Sequence, residues 1–81
     1  SVVNGKAFPN PTNENVTIAL EANGNGQLMV TDVAGKAALN QMITLVNGQT
    51  NVDMSNLDAG VYIFNVTLEN GKSSQFNVVK N

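Results

Sequence analysis

The chain has no cysteine, no histidine, no tryptophan and no arginine. Each absence removes something. Without cysteine there are no disulfides to staple a small domain, although secreted domains need not contain them, so the compartment stays open. Without histidine and cysteine the commonest general base and the soft metal ligands are missing. Only four lysines balance six carboxylates, for a formal charge of −2. Such a surface has little attraction for nucleic acid or an anionic membrane. No apolar run approaches the roughly 20 residues that span a bilayer. Ser1-Val2-Val3-Asn4 lacks the charged and apolar regions of a signal peptide. If the segment is secreted, its export signal is expected upstream, in a longer protein from which this domain is cut.

Asparagine is what the chain has in excess, at fourteen positions. Several precede glycine, at Asn4-Gly5, Asn23-Gly24, Asn25-Gly26, Asn47-Gly48 and Asn70-Gly71. Both residues tolerate positive φ, so these are turn signals. Turns this frequent between β-rich runs predict an all-β domain. With 81 residues, one domain is expected. A chain this short buries only roughly 60–65% of its unfolded surface, so its stability margin is thin.

The most informative stretch is Ser55–Asn81. Tyr62, Phe64, Val66 and Leu68 alternate with Ile63, Asn65 and Thr67. Strand side chains alternate with period two, so the first set makes a buried stripe. Phe76 and Val78 form the stripe of the return strand. A two-residue loop at Asn70-Gly71 would put these stripes on opposite faces. A three-residue loop, Glu69-Asn70-Gly71, pairs Phe64 with Phe76 and Tyr62 with Val78. Gly71 then takes the left-handed position of a G1 bulge.

The remaining runs follow the same logic. Ser1–Ala7 reads as a linker or first edge strand, and 8–81 as the domain proper. In Phe8-Pro9-Asn10-Pro11-Thr12 two prolines stiffen a bend and withhold N–H donors from strand pairing. This is either a recognition element anchored by Phe8 or a rigid edge corner. Asn15–Ala22 points Val16, Ile18 and Leu20 inward. In Gln27–Val33, Leu28 and Val30 compete with Met29 for the interior. Asp32–Lys36 repeats the turn chemistry of Leu68–Lys72 and pairs Asp32 with Lys36. Lys36–Val46 has helix-tolerant and strand-preferring halves; the flanking turns favour a strand, kinked near Asn40. Val52 and Met54 point inward from Gln49–Met54. Leu57 plugs the core from the tight Ser55–Gly60 connection. Six strands and an N-terminal seventh predict an antiparallel two-sheet β-sandwich, immunoglobulin-like in architecture. The Cys–Trp–Cys core of a true immunoglobulin domain is absent.

Reactive chemistry is not visible. Catalysis needs a nucleophile, an acid–base pair or a metal. Glu14, Glu21, Asp32, Asp53, Asp58 and Glu69 are scattered over separate elements. Asp53 and Asp58 lack calcium-loop spacing and read as turn carboxylates. Asn23–Gly26 has neither a P-loop lysine nor a following helix. Asn15-Val16-Thr17 and Asn65-Val66-Thr67 match the glycosylation pattern by chance, inside strands. No catalytic residue, metal site or cofactor is assigned.

Five segments in order carry a resemblance: Phe8-Pro9-Asn10-Pro11-Thr12; Val30–Lys36; Met54-Ser55-Asn56-Leu57-Asp58-Ala59-Gly60-Val61-Tyr62; Glu69–Lys72; and Val78-Val79-Lys80. Together they resemble the type A C-terminal sorting domains of the type IX (Por) secretion system, over nearly the whole chain. The resemblance implies a seven-stranded sandwich that labels a cargo protein. The cargo would be exported to the periplasm, recognised by an outer-membrane translocon and carried to the surface or beyond. A sortase-like peptidase would remove the domain, cutting in the linker close to Ser1–Ala7, and join the cargo to anionic lipopolysaccharide. Recognition residues implied are Pro9, Asn10, Pro11, Gly35, Gly60, Tyr62 and Lys80. For Gly35, Gly60 and Tyr62 a purely structural role is the strongest rival. The last strand, ending in an exposed Lys80, is expected to offer its edge to a partner. An immunoglobulin-like binding or adhesion module, or a surface spacer, is the alternative. Open sheet edges also allow a homodimer through a strand edge.

Overall fold

A computed structural model describes residues 1–81. It contains seven strands: β1 Gly5–Phe8, β2 Asn15–Leu20, β3 Gly24–Asp32, β4 Ala37–Leu45, β5 Gln49–Asp53, β6 Gly60–Leu68 and β7 Ser73–Lys80. All strand pairs are antiparallel. They form one sheet of three, ordered β1-β2-β5, and one of four, ordered β4-β3-β6-β7. This is the expected two-sheet, immunoglobulin-like sandwich.

The core is where the alternation places it. Val16, Ile18, Leu20 and Val52 from one sheet face Leu28, Val30, Ile43, Leu45, Tyr62, Phe64, Val66, Leu68 and Val78 from the other, with Met54 closing the layer. In the contest within β3, Leu28 and Val30 are fully buried and Met29 is turned to the outer face, half-buried. Leu57 packs against the core from the side.

The last hairpin has the three-residue loop. Phe64 pairs with Phe76 and Tyr62 with Val78. The Gly71 amide donates to the Leu68 carbonyl at 3.0 Å, and the Leu68 amide donates to the Lys72 carbonyl at 2.8 Å. Gly71 has φ of 88°, the left-handed value that the bulge demands. The β3–β4 turn repeats it: Gly35 N–H donates to the Asp32 carbonyl and Asp32 N–H to the Lys36 carbonyl, both at 3.0 Å.

β4 is a strand, but its irregularity is not at Asn40. Thr31 pairs with Ala37 and Val30 with Leu39, so Ala38 is the extra residue of a bulge. The bulge has a physical reason. Continued without it, the register from the turn would turn Ala38, Asn40 and Met42 toward the interior. One extra residue flips the strand, and Ile43 and Leu45 are buried instead.

Candidate functional site

Register determines which turns meet. Asp32 pairs with Tyr62 and Tyr62 with Val78; Gly60 pairs with Lys80. The β3–β4 turn, the β5–β6 connection and the last residues of β7 therefore share one end of the sandwich. Asn15 pairs with Asp53, which brings the start of β2 and the end of β5 to the same end. The Met54 amide donates to the Glu14 carbonyl at 2.8 Å and extends the β2–β5 pairing there.

The prolines explain how the chain entrance joins this end. Pro9 and Pro11 have no N–H, so the segment between them cannot pair as an ordinary strand. The Asn10 side chain does it instead. Its Oδ1 accepts from the Val79 amide at 2.9 Å and its Nδ2 donates to the Asn77 carbonyl at 3.1 Å. The backbone takes over at Thr12. Thr12 N–H donates to the Val79 carbonyl at 2.9 Å, and Asn81 N–H donates to the Thr12 carbonyl at 2.8 Å. Thr12 is itself buried, and its hydroxyl donates to the Asn15 carbonyl at 2.6 Å. Each bond is worth about 0.5–1.5 kcal/mol; the set fixes the entrance against the exit.

Two side chains shape the β5–β6 connection from beneath. The Tyr62 hydroxyl donates to the Asp58 carbonyl at 2.7 Å, four residues upstream, in the manner of the tyrosine corner of immunoglobulin domains. The Lys80 ammonium donates to the Leu57 carbonyl at 3.0 Å. Gly60 sits opposite Lys80 with φ of 154°, strained for any side chain although open space surrounds it. Gly35, with φ of 86°, ends the neighbouring turn beyond β6. Pro9, Asn10, Pro11, Gly60, Tyr62 and Lys80 thus converge on one corner, and Gly35 lies at the same end.

Charge at this end is mostly negative: Glu14, Asp32, Asp53 and Asp58, against Lys36 on the Gly35 turn and the inward-facing Lys80. Asp53 titrates below the usual carboxylate range. The Ser55 hydroxyl and then the Ser55 amide hold it ionised, against a smaller opposing effect of desolvation. This favours the turned conformation above the ordinary carboxylate pKa and is lost as pH falls through the lowered one. The carboxylates do not gather in threes.

Residues 6–80 match the family model described as a secretion system C-terminal sorting domain. The chain belongs to that family. No curated protein and no solved structure matches it. The matched span runs from β1 to Lys80 and takes in all seven residues singled out in the sequence. A sorting domain of this type IX family is a secretion signal, so the protein that carries it is a secreted or surface protein.

The geometry of the sorting domain corrects two expectations. Lys80 is not exposed: it is 8% accessible, on the inward face of β7. It follows Val78 at two-residue spacing, so the pleat that buries Val78 buries Lys80 too. Nor is the edge of β7 free along its length: only its middle, around Gln75, is uncovered. Residues Asn10 and Thr12 cover its C-terminal half, and Val3 N–H bonds the Ser73 carbonyl at its start, at 2.8 Å. Phe8 is 41% exposed, with the Lys6 ammonium 6.0 Å from its ring centre. Sequence reasoning missed Thr12, Leu57, Asp58 and Asn81 as partners in this corner. Three contribute backbone groups, which no residue pattern reveals; for Thr12 the only hint was its place after Pro11.

Proposed function

We propose that this corner is the address. The outer-membrane type IX translocon reads the surface formed by Asn10–Thr12, the Ser55–Gly60 connection and Val79–Asn81, with the Gly35 turn beside it. The observation that supports this is the hydrogen-bonded closure of chain entrance on chain exit. Three segments far apart in sequence present one surface only when the sandwich is complete. The signal is then a folded shape rather than a linear tag. Pro9, Asn10 and Pro11 build the surface directly. Gly35, Gly60, Tyr62 and Lys80 hold its loops in place.

The domain performs no chemistry of its own in this reading. It passes with its cargo through the periplasm. A sortase-like peptidase then releases the cargo, upstream of the sandwich, for attachment at the cell surface. Ser1 and Val3 bond to Ser73, so a cut near Ser1–Ala7 requires that segment to peel off β7.

The test is a periplasm-directed fluorescent reporter fused ahead of Ser1. In cells with an intact translocon it should appear at the surface or in the medium. In cells lacking the translocon it should stay in the periplasm. Equal delivery in both strains would exclude the reading.

A further inference from the structure

A sandwich of two open sheets has four edges, and three of them are defended. β1 has four residues, carries Lys6 and ends at Pro9. β5 has five residues and ends in Asp53. β7 is covered at both ends, by Val3 and by Asn10–Thr12. Short length, charge, proline and covering loops are the usual ways of keeping an edge unpaired.

β4 has none of these along most of its length. It spans nine residues, Ala37–Leu45, with no charge and no proline. Its bulge, at Ala38, lies near the turn and leaves Leu39–Leu45 regular. Two backbone bonds establish which groups face out. Asp32 N–H bonds toward β4, at Lys36, and the Asn25 carbonyl bonds away from it, at Glu69. Alternation then turns the backbones of Val30, Leu28 and Gly26 toward β4, and those of Leu39, Gln41 and Ile43 back toward β3. Asn40, Met42 and Thr44 point their N–H and C=O groups off the edge of the sheet. The next outward residue, Val46, is already paired with Gln49 at 3.1 Å, which closes the edge there.

We propose that the occupant of this edge is β4 of a second copy, joined antiparallel about a two-fold axis through Met42. The self-match is what selects it. In that register Met42 meets Met42, Asn40 meets Thr44, Gln41 meets Ile43 and Leu39 meets Leu45. Outward-pointing backbones face outward-pointing backbones at all three even positions, which permits six new N–H···O bonds. Met42, 69% exposed in the single chain, gains an apolar partner across the axis. Asn40 and Thr44, already bonded to Gln27 and Asn25 of their own β3, meet each other across the axis as a polar pair. No charge lies on β4 or on the adjoining outer face of β3, at Asn25, Gln27, Met29 and Thr31, so identical copies approach without like-charge opposition. The product is a continuous eight-stranded sheet with its two sorting corners at opposite ends. A closed two-fold contact of this kind does not propagate into fibres.

Sedimentation equilibrium of the 81-residue chain, from micromolar to millimolar concentration, is expected to show a monomer–dimer equilibrium. Met42→Lys places two ammonium groups across the axis and should weaken dimerisation about tenfold or more, with an unchanged circular dichroism spectrum. The chain has no cysteine, so Met42→Cys is a clean probe. Directly opposed bonded residues lie about 5.5 Å apart between Cα atoms, within disulfide reach. This variant should cross-link on mild oxidation, whereas Val33→Cys, on the exposed turn, should not. A monomer at every concentration would overturn the pairing, as would a dimer that Met42→Lys leaves intact, or no selective cross-linking at position 42. The pairing stands apart from the sorting reading: a monomer that still directs export would overturn the pairing alone.

Discussion

Phe64→Ala is expected to cost about 3–5 kcal/mol, the usual range for emptying a buried phenylalanine site. Phe64 has no accessible surface and sits at the middle of β6, between Val30 on β3 and Phe76 on β7. Its ring centre lies 5.7 Å from that of Phe76. A domain of this size has only about 4–12 kcal/mol in total, and no disulfide limits its unfolded state. Most of the margin would go, and the melting temperature should fall by about 20 °C. Phe76→Ala should cost less, because Phe76 is only half-buried. Thermal melts followed by circular dichroism decide this. A Phe64→Ala melting temperature within about 5 °C of the parent would mean that the core is not packed as described.

Removal of Val78–Asn81 should be worse for both fold and function. It takes away Val78, which is fully buried, and the backbone pairs that Val78, Val79 and Lys80 make with β6. It also strips Thr12 of the Val79 carbonyl and the Asn81 amide, and Asn10 of the Val79 amide, leaving Asn10 only the Asn77 carbonyl. Burial of one valine alone is worth about 1.5–3 kcal/mol. The truncated domain should lose cooperative unfolding, and a reporter fused to it should remain in the periplasm. Lys80→Met separates the two effects. Methionine keeps the apolar stem, removes the ammonium and leaves the Leu57 carbonyl without its donor, at about 1–3 kcal/mol. That variant should still fold but deliver its reporter poorly. Normal surface delivery of the truncated fusion would contradict the reading.

Much of this was legible in the sequence, for local reasons. Alternation specifies the strands, and the clash between two stripes specifies the loop length at Glu69–Gly71. The turn at Gly35 followed by analogy. What escaped was non-local. A lysine near a chain end reads as solvated, and only the pleat shared with Val78 shows that Lys80 turns inward. A Pro-Asn-Pro corner reads as a device that prevents pairing. In fact the Asn10 amide stands in for the missing backbone donors and pairs with β7. The Ala38 bulge was invisible because either face of Lys36–Val46 looks acceptable until the position of the turn is known. The corner itself could be found only by combining three strand registers.

On the proposed reading, export machinery contacts the end of the sandwich where entrance and exit meet. Backbone amide signals of isotope-labelled domain, recorded with and without purified outer-membrane type IX translocon, test it directly. Attenuation should concentrate at Thr12–Glu14, Val33–Lys36, Ser55–Gly60 and Val79–Asn81. Attenuation confined to the connections at the opposite end, at Asn23-Gly24, Asn47-Gly48 and Asn70-Gly71, or none at all, would contradict it.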